Sequence, residues 1–90
     1  MAYLLKVDGV KEQVQPNNQK FFQLEELQKL VDGYIEIIQV GEQYMVLNDE
    51  GKFSKKLNLC ATVLAKEKKA IDLFDYIAGD VLICNNKEIN

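Results

Sequence analysis

Asn48, Asp49, Glu50 and Lys52 lie close together in the chain, and Asn58 and Thr62 follow at the start of a helical pattern. Carboxylates, an ammonium and amides at this spacing form a polar patch able to grip a small ligand. A helix starting at Asn58 would add free N–H groups suited to an anion. The same residues also have a purely structural use. Asn and Gly at 48–51 suit a turn, and Asn58 suits an N-cap. Asn48-Asp49-Glu50-Gly51 is loosely like an acidic calcium loop. Its ligand spacing is wrong and the distal Glu is missing, so no metal site is expected. Tyr34 and Tyr44 fall on the two arms of one hairpin pattern. Their rings could stack a base, anchor a partner, or simply pack across the strands.

The residues that usually carry catalysis are missing. The chain has no histidine, and all 11 basic residues are lysine. It therefore lacks the common proton shuttle near neutral pH and the planar fork for phosphate and carboxylate. Cys60 and Cys84 stand far apart in apolar stretches, with no histidine to raise their thiolate fraction. They are read as reduced core thiols, neither bridged nor metal-bound. No enzyme activity and no cofactor are expected. Lys66, Lys68 and Lys69, with Lys55 and Lys56, could meet phosphates, but acidic residues interleave them. They are read as a solvated helix end, and nucleic acid is not an expected partner. A net charge of −3 is too mild for a nucleic-acid mimic.

These side chains need a scaffold, and the 90 residues suffice for one domain over positions 1–90, with 85–90 as a polar tail. No apolar run is long enough for a membrane span. Met1 to Lys6 shows no basic segment ahead of a long apolar stretch, so no signal peptide is expected. Ala2–Val7 and Val10–Gln15 flank Asp8-Gly9, which predicts a hairpin with a type I′ turn. Its mostly polar second arm, closed by Pro16, reads as a sheet edge. Leu24, Leu27, Leu30 and Val31 predict a helix stopped at Asp32-Gly33, with Gly33 left-handed. A second hairpin joins Tyr34–Val40 to Gln43–Leu47 through Gly41-Glu42, of type II′. Lys52-Phe53 is expected to resume extended pairing. A helix over Leu59 to Lys68 would turn Leu59, Cys60, Val63 and Leu64 inward. Residues 70–76 read equally as loop or short helix. Val81-Leu82-Ile83-Cys84 reads as a strand buried on both faces.

The order β-β-α-β-β-α-β predicts an α+β fold with one mixed or antiparallel sheet and two helices covering one face. The buried strand asks for more than that. One of its faces would take the helix from Asn58, and the other the first helix or a subunit partner, which would make a homodimer.

Five segments in order carry a resemblance: Phe22 to Val31, Gly33 to Ile37, Met45 to Lys52, Asn58 with Ala61-Thr62, and Asp75 to Ile83. In these the chain resembles an uncharacterised family of small proteins encoded by phages and conjugative elements. Asp32 stands where such proteins carry glycine or another small residue. The resemblance supplies a setting, the cytoplasm of a bacterial host cell, and no mechanism. It implies a non-enzymatic accessory protein acting as a binding module on a host protein. The alternative it leaves is a binder that sequesters a small nucleotide-like signal. The expected surface is an exposed edge strand or the region from Asn48 to Thr62. The candidate contact residues are Asn48, Glu50, Lys52, Asn58, Thr62, Tyr34 and Tyr44.

Overall fold

The computed structural model describes residues 2–89, so Met1 and Asn90 lie outside it. Its elements are β1 (Ala2–Leu5), β2 (Lys11–Val14), α1 (Leu24–Val31), β3 (Ile35–Val40), β4 (Gln43–Asn48), α2 (Gly51–Ser54), α3 (Leu59–Glu67) and β5 (Val81–Cys84). A 3-10 turn over Asn86–Glu88 follows them.

Four apolar residues in a row cannot alternate between core and water, so β5 needs cover on both faces. It has it: Val81, Leu82, Ile83 and Cys84 are all fully buried. β5 is the middle strand of a five-stranded sheet in the order β2-β1-β5-β4-β3. Every neighbouring pair runs antiparallel, so the sheet is not mixed. Leu82 and Cys84 face one layer with Val46, Phe22 and the α1 residues Leu27 and Val31. Val81 and Ile83 face the other with Leu5, Met45, Leu47 and the α3 residues Ala61 and Ala65. The two longer helices therefore cover opposite faces, which corrects the expectation of one covered face. The apolar residues of the central strands point both ways, and one helical layer could hide only half of them.

Local chemistry sets the connections, with some revisions. β2 lies at the sheet edge. In its hairpin the Lys6 N–H donates to Val10 O, the Gly9 N–H donates to Lys6 O, and φ is positive at Gly9 alone. This is a three-residue loop closed by a left-handed glycine, where a type I′ turn was expected. α1 ends on a left-handed Asp32, with φ at 60°, and Gly33 is not the helix stop. Gly33 is needed for another reason. A side chain there would run into the Asn48 amide, 2.6 Å from where its Cβ would sit.

Lys52 and Phe53 belong to the helical turn α2 and not to a strand. Residues 70–76 form no helix; a turn closes with the Asp75 N–H donating to Asp72 O. The C-terminal stretch is not a free tail. Asn85 caps the 3-10 turn, and Ile89 bridges to Phe22 in parallel, with the Phe22 N–H donating to Glu88 O.

Candidate functional site

Asn58 begins α3 and is completely buried. Its amide donates to Leu5 O and to Gly79 O, both at 2.9 Å, and its Oδ1 accepts from the Ala61 N–H at 3.0 Å. One side chain thus caps a helix and ties β1 to the segment ahead of β5. Thr62, one turn on, donates its hydroxyl to Asn58 O at 2.8 Å and accepts the Ile77 N–H at 2.9 Å. The Asn58 N–H in turn donates to Ile77 O, and Leu57 bridges Ala78. Residues 56–58 and 77–79 are laced together here, and the amide and hydroxyl have their partners inside the chain.

Asn48 ends β4 in a similar position. Its amide donates to Val31 O and Asp32 O, both at 3.0 Å, and its Oδ1 accepts the Glu50 N–H at 2.8 Å. It satisfies the last carbonyls of α1, which a helix end leaves without partners. Of the residues singled out in the sequence, Asn48, Asn58 and Thr62 are therefore internal braces. They do not converge on a common cavity.

The polar residues that do face water gather at α2. A cleft of about 360 Å³ is lined by Glu36, Asp49, Lys52, Phe53 and Tyr76, with Asn48 in its wall. The Lys52 ammonium pairs with the Asp75 carboxylate and lies 5.0 Å from the centre of the Tyr76 ring. The hydrogen bond that Lys52 donates to Asp75 holds Lys52 more firmly protonated than usual, and the same bond holds the Asp75 carboxyl below its ordinary range. Both groups thus stay charged across neutral pH, which suits charge recognition and not proton transfer. Glu50 is exposed beside this cleft without lining it.

Tyr34 and Tyr44 are not brought together. Tyr44 pairs with Gln39 near the hairpin turn, whereas Tyr34 precedes β3 at the far end, its carbonyl accepting the Asp49 N–H. About five residues of strand, roughly 16 Å, separate them. Tyr44 packs on the α1-side core and Tyr34 is exposed.

A second surface lies where the helical pattern predicts core. α3 turns Ala61, Thr62 and Ala65 inward, packs the expected Leu64 against the same core, and leaves Leu59 62% and Val63 47% exposed. Cys60 is exposed as well, so it is no core thiol; Cys84 is buried, and burial pushes its thiol up to about 12. Leu59, Cys60, Val63 and Leu64 wall a groove of about 410 Å³ against Tyr3, Leu5, Gly9 and Lys11 of the first hairpin. A signal for this orientation was present. Asn58, Ala61, Thr62 and Ala65 also fall on one helical face, of small and hydrogen-bonding residues.

Among the described residues no group of His, Cys, Asp and Glu could hold a metal ion, and no helix is long and apolar enough to cross a membrane. The chain belongs to a family described as a domain of unknown function (DUF3846), whose model matches residues 2–90. No curated protein and no solved structure matches it.

Proposed function

We propose that this member of a family with no assigned function works by binding another protein, and performs no chemistry of its own. In the setting that the resemblance implies, it is an accessory protein of a phage or conjugative element. Its partner is then a host protein in the bacterial cytoplasm. The observation that carries the reading is the outward apolar stripe of α3, where Leu59 and Val63 stand open to water above an apolar groove. Single exposed apolar residues are ordinary, but a contiguous patch beside a groove marks an interaction surface. Leu57, half exposed, extends the patch toward α2. The region from Asn48 to Thr62 is thus retained as the contact surface, through its apolar residues and not its buried amides.

The test uses the whole chain as bait in a bacterial lysate, beside a Leu59→Asp/Val63→Asp variant of unchanged circular dichroism. The wild type should recover a defined partner that the variant loses. Recovery of the same proteins by both baits would refute the α3 surface.

A second reading has its own observation. The α2 cleft holds a charged Lys52 against the Tyr76 ring, with the largely exposed Phe53 beside it. A cation with two aromatic rings could take a nucleotide-like ligand. A panel of nucleotides that raises the melting temperature, with the gain abolished by Lys52→Ala, would put this reading in place of the first.

A further inference from the structure

The sheet has two outer strands, and they differ in how they are finished. β2 offers Lys11, Glu12 and Gln13 to water and is followed by Pro16, which cannot donate to a ladder. β3 reads Ile-Glu-Ile-Ile-Gln-Val, six residues with a single charge, no lysine and no proline. Edges of that kind invite a further strand unless something blocks them.

The register shows which main-chain groups are open. Val40 and Gln43 flank the two-residue turn and form its first hydrogen-bonded pair. Ile38 and Glu36, at alternate positions, therefore also direct their N–H and C=O toward β4. The Tyr34 carbonyl, accepting the Asp49 N–H at 2.9 Å, continues the same alternation. Ile35, Ile37 and Gln39 direct theirs outward, at the open edge.

We propose that this edge pairs antiparallel with β3 of a second copy of the chain, about a two-fold axis at Ile37. In an antiparallel pair opposed residues share a face, so an axis on an outward-directed residue keeps both sheets in register. Ile37 then lies against Ile37 of the second copy, Ile35 against Gln39, and Glu36 against Ile38. About six main-chain hydrogen bonds form across the axis. Ile37, 40% exposed in the single chain, is covered by its counterpart.

Charge also favours a second copy over an arbitrary strand. The same axis sets Gly41 of each copy beside Gly33 and Tyr34 of the other. Lys68 packs on Gly41, its Cδ 3.3 Å from where a Cβ would sit. It is therefore carried to the exposed Tyr34 ring and toward the Glu36 carboxylate, adding a second cation to the Lys52 that Glu36 already faces in its own chain. The result is a continuous sheet of two chains, with α3 of both on one side and each α2 cleft beside the other copy's hairpin turn. The interface is small, so association depends on protein concentration.

Sedimentation equilibrium tests this. The wild type should rise with concentration from 10.3 kDa toward twice that mass. Ile37→Pro removes an N–H that points away from β4, and should weaken association at least tenfold with the circular dichroism retained. Ile37→Lys, which sets two like charges opposite each other, should do the same should the proline variant fail to fold. In a Cys60→Ala background, Ile37→Cys should cross-link to a dimer under mild oxidation, whereas Gln39→Cys, about 13 Å from its counterpart, should not. A wild type that stays at 10.3 kDa to about 1 mM overturns the proposal. So does equal cross-linking at both positions, or association unchanged in both Ile37 variants.

Discussion

α1 and α3 cover opposite faces of one sheet, and they do it with opposite chemistry. α1 seats large side chains, Leu27 and Val31, into the core around Phe22 and Leu82. α3 seats Ala61 and Ala65, and adds the hydrogen bonds of Asn58 and Thr62, while Leu59 and Val63 stay outside. Small residues let a helix lie close to the strands beneath it, and buried amides with fixed partners then set its rotation. A helix seated mainly through large side chains spends most of them inward. One held by close approach and hydrogen bonds has them free for an outside surface, which is where the proposed partner contact lies.

The contrast can be broken most sharply on the α1 side. Leu27→Ala removes a large side chain from a filled core, and chemical denaturation should show a loss of about 2–5 kcal/mol. Leu59→Ala, the same change on α3, should stay within about 0.5 kcal/mol. Comparable losses at both positions would mean that α3 packs through its apolar residues after all.

On α3 the large effect should come from a polar residue. Asn58→Ala leaves Leu5 O, Gly79 O and the Ala61 N–H without their partner, and should cost about 2–4 kcal/mol. A loss below about 1 kcal/mol would show that water replaces the amide and that the network does not position the helix.

The smallest effect is expected at the surface ion pairs of α2 and its flank. Lys52 holds the Asp75 carboxyl below the usual range, and Lys55 does the same to Asp32. A carboxyl whose folded value is depressed adds stability above its unfolded value, near pH 4, and that share is lost as pH falls through the lower folded value. Both pairs are open to solvent and strongly screened. Asp75→Asn should therefore lower the melting temperature at pH 6 by only about 1–2 °C, and by nothing once the wild-type carboxyl is protonated. A difference that persists unchanged at pH 2 would assign the effect to the hydrogen bond with the Tyr76 N–H and not to charge.

Several features were legible because a short stretch of chain decides them. Val81 to Cys84 admits no alternation, so its burial follows from the residues themselves. The polarity of Lys11 to Gln15 and the stop at Pro16 mark an edge wherever the sheet closes. The apolar spacing of Leu24 to Val31 marks an inward face, and α1 buries Leu27 and Val31 on it, with Leu24 at its first turn left exposed. The absence of histidine and arginine is likewise a property of the sequence alone.

Other features depend on what arrives from elsewhere in the chain. α3 carries two plausible inward stripes, and local pattern favours the larger residues at 59, 60, 63 and 64, of which Leu64 alone packs on the core. The other stripe is chosen because Leu5 O and Gly79 O, 53 and 21 residues away from Asn58, reach its amide together. Asn48 reads as a ligand group until the end of α1, 17 residues earlier, is placed against it. The C-terminal turn looks like a tail until Phe22 pairs with Ile89. A polar side chain is free for function only when no carbonyl or N–H of the fold claims it. Which of them are claimed is set by contacts distant in sequence, and so by the tertiary structure alone.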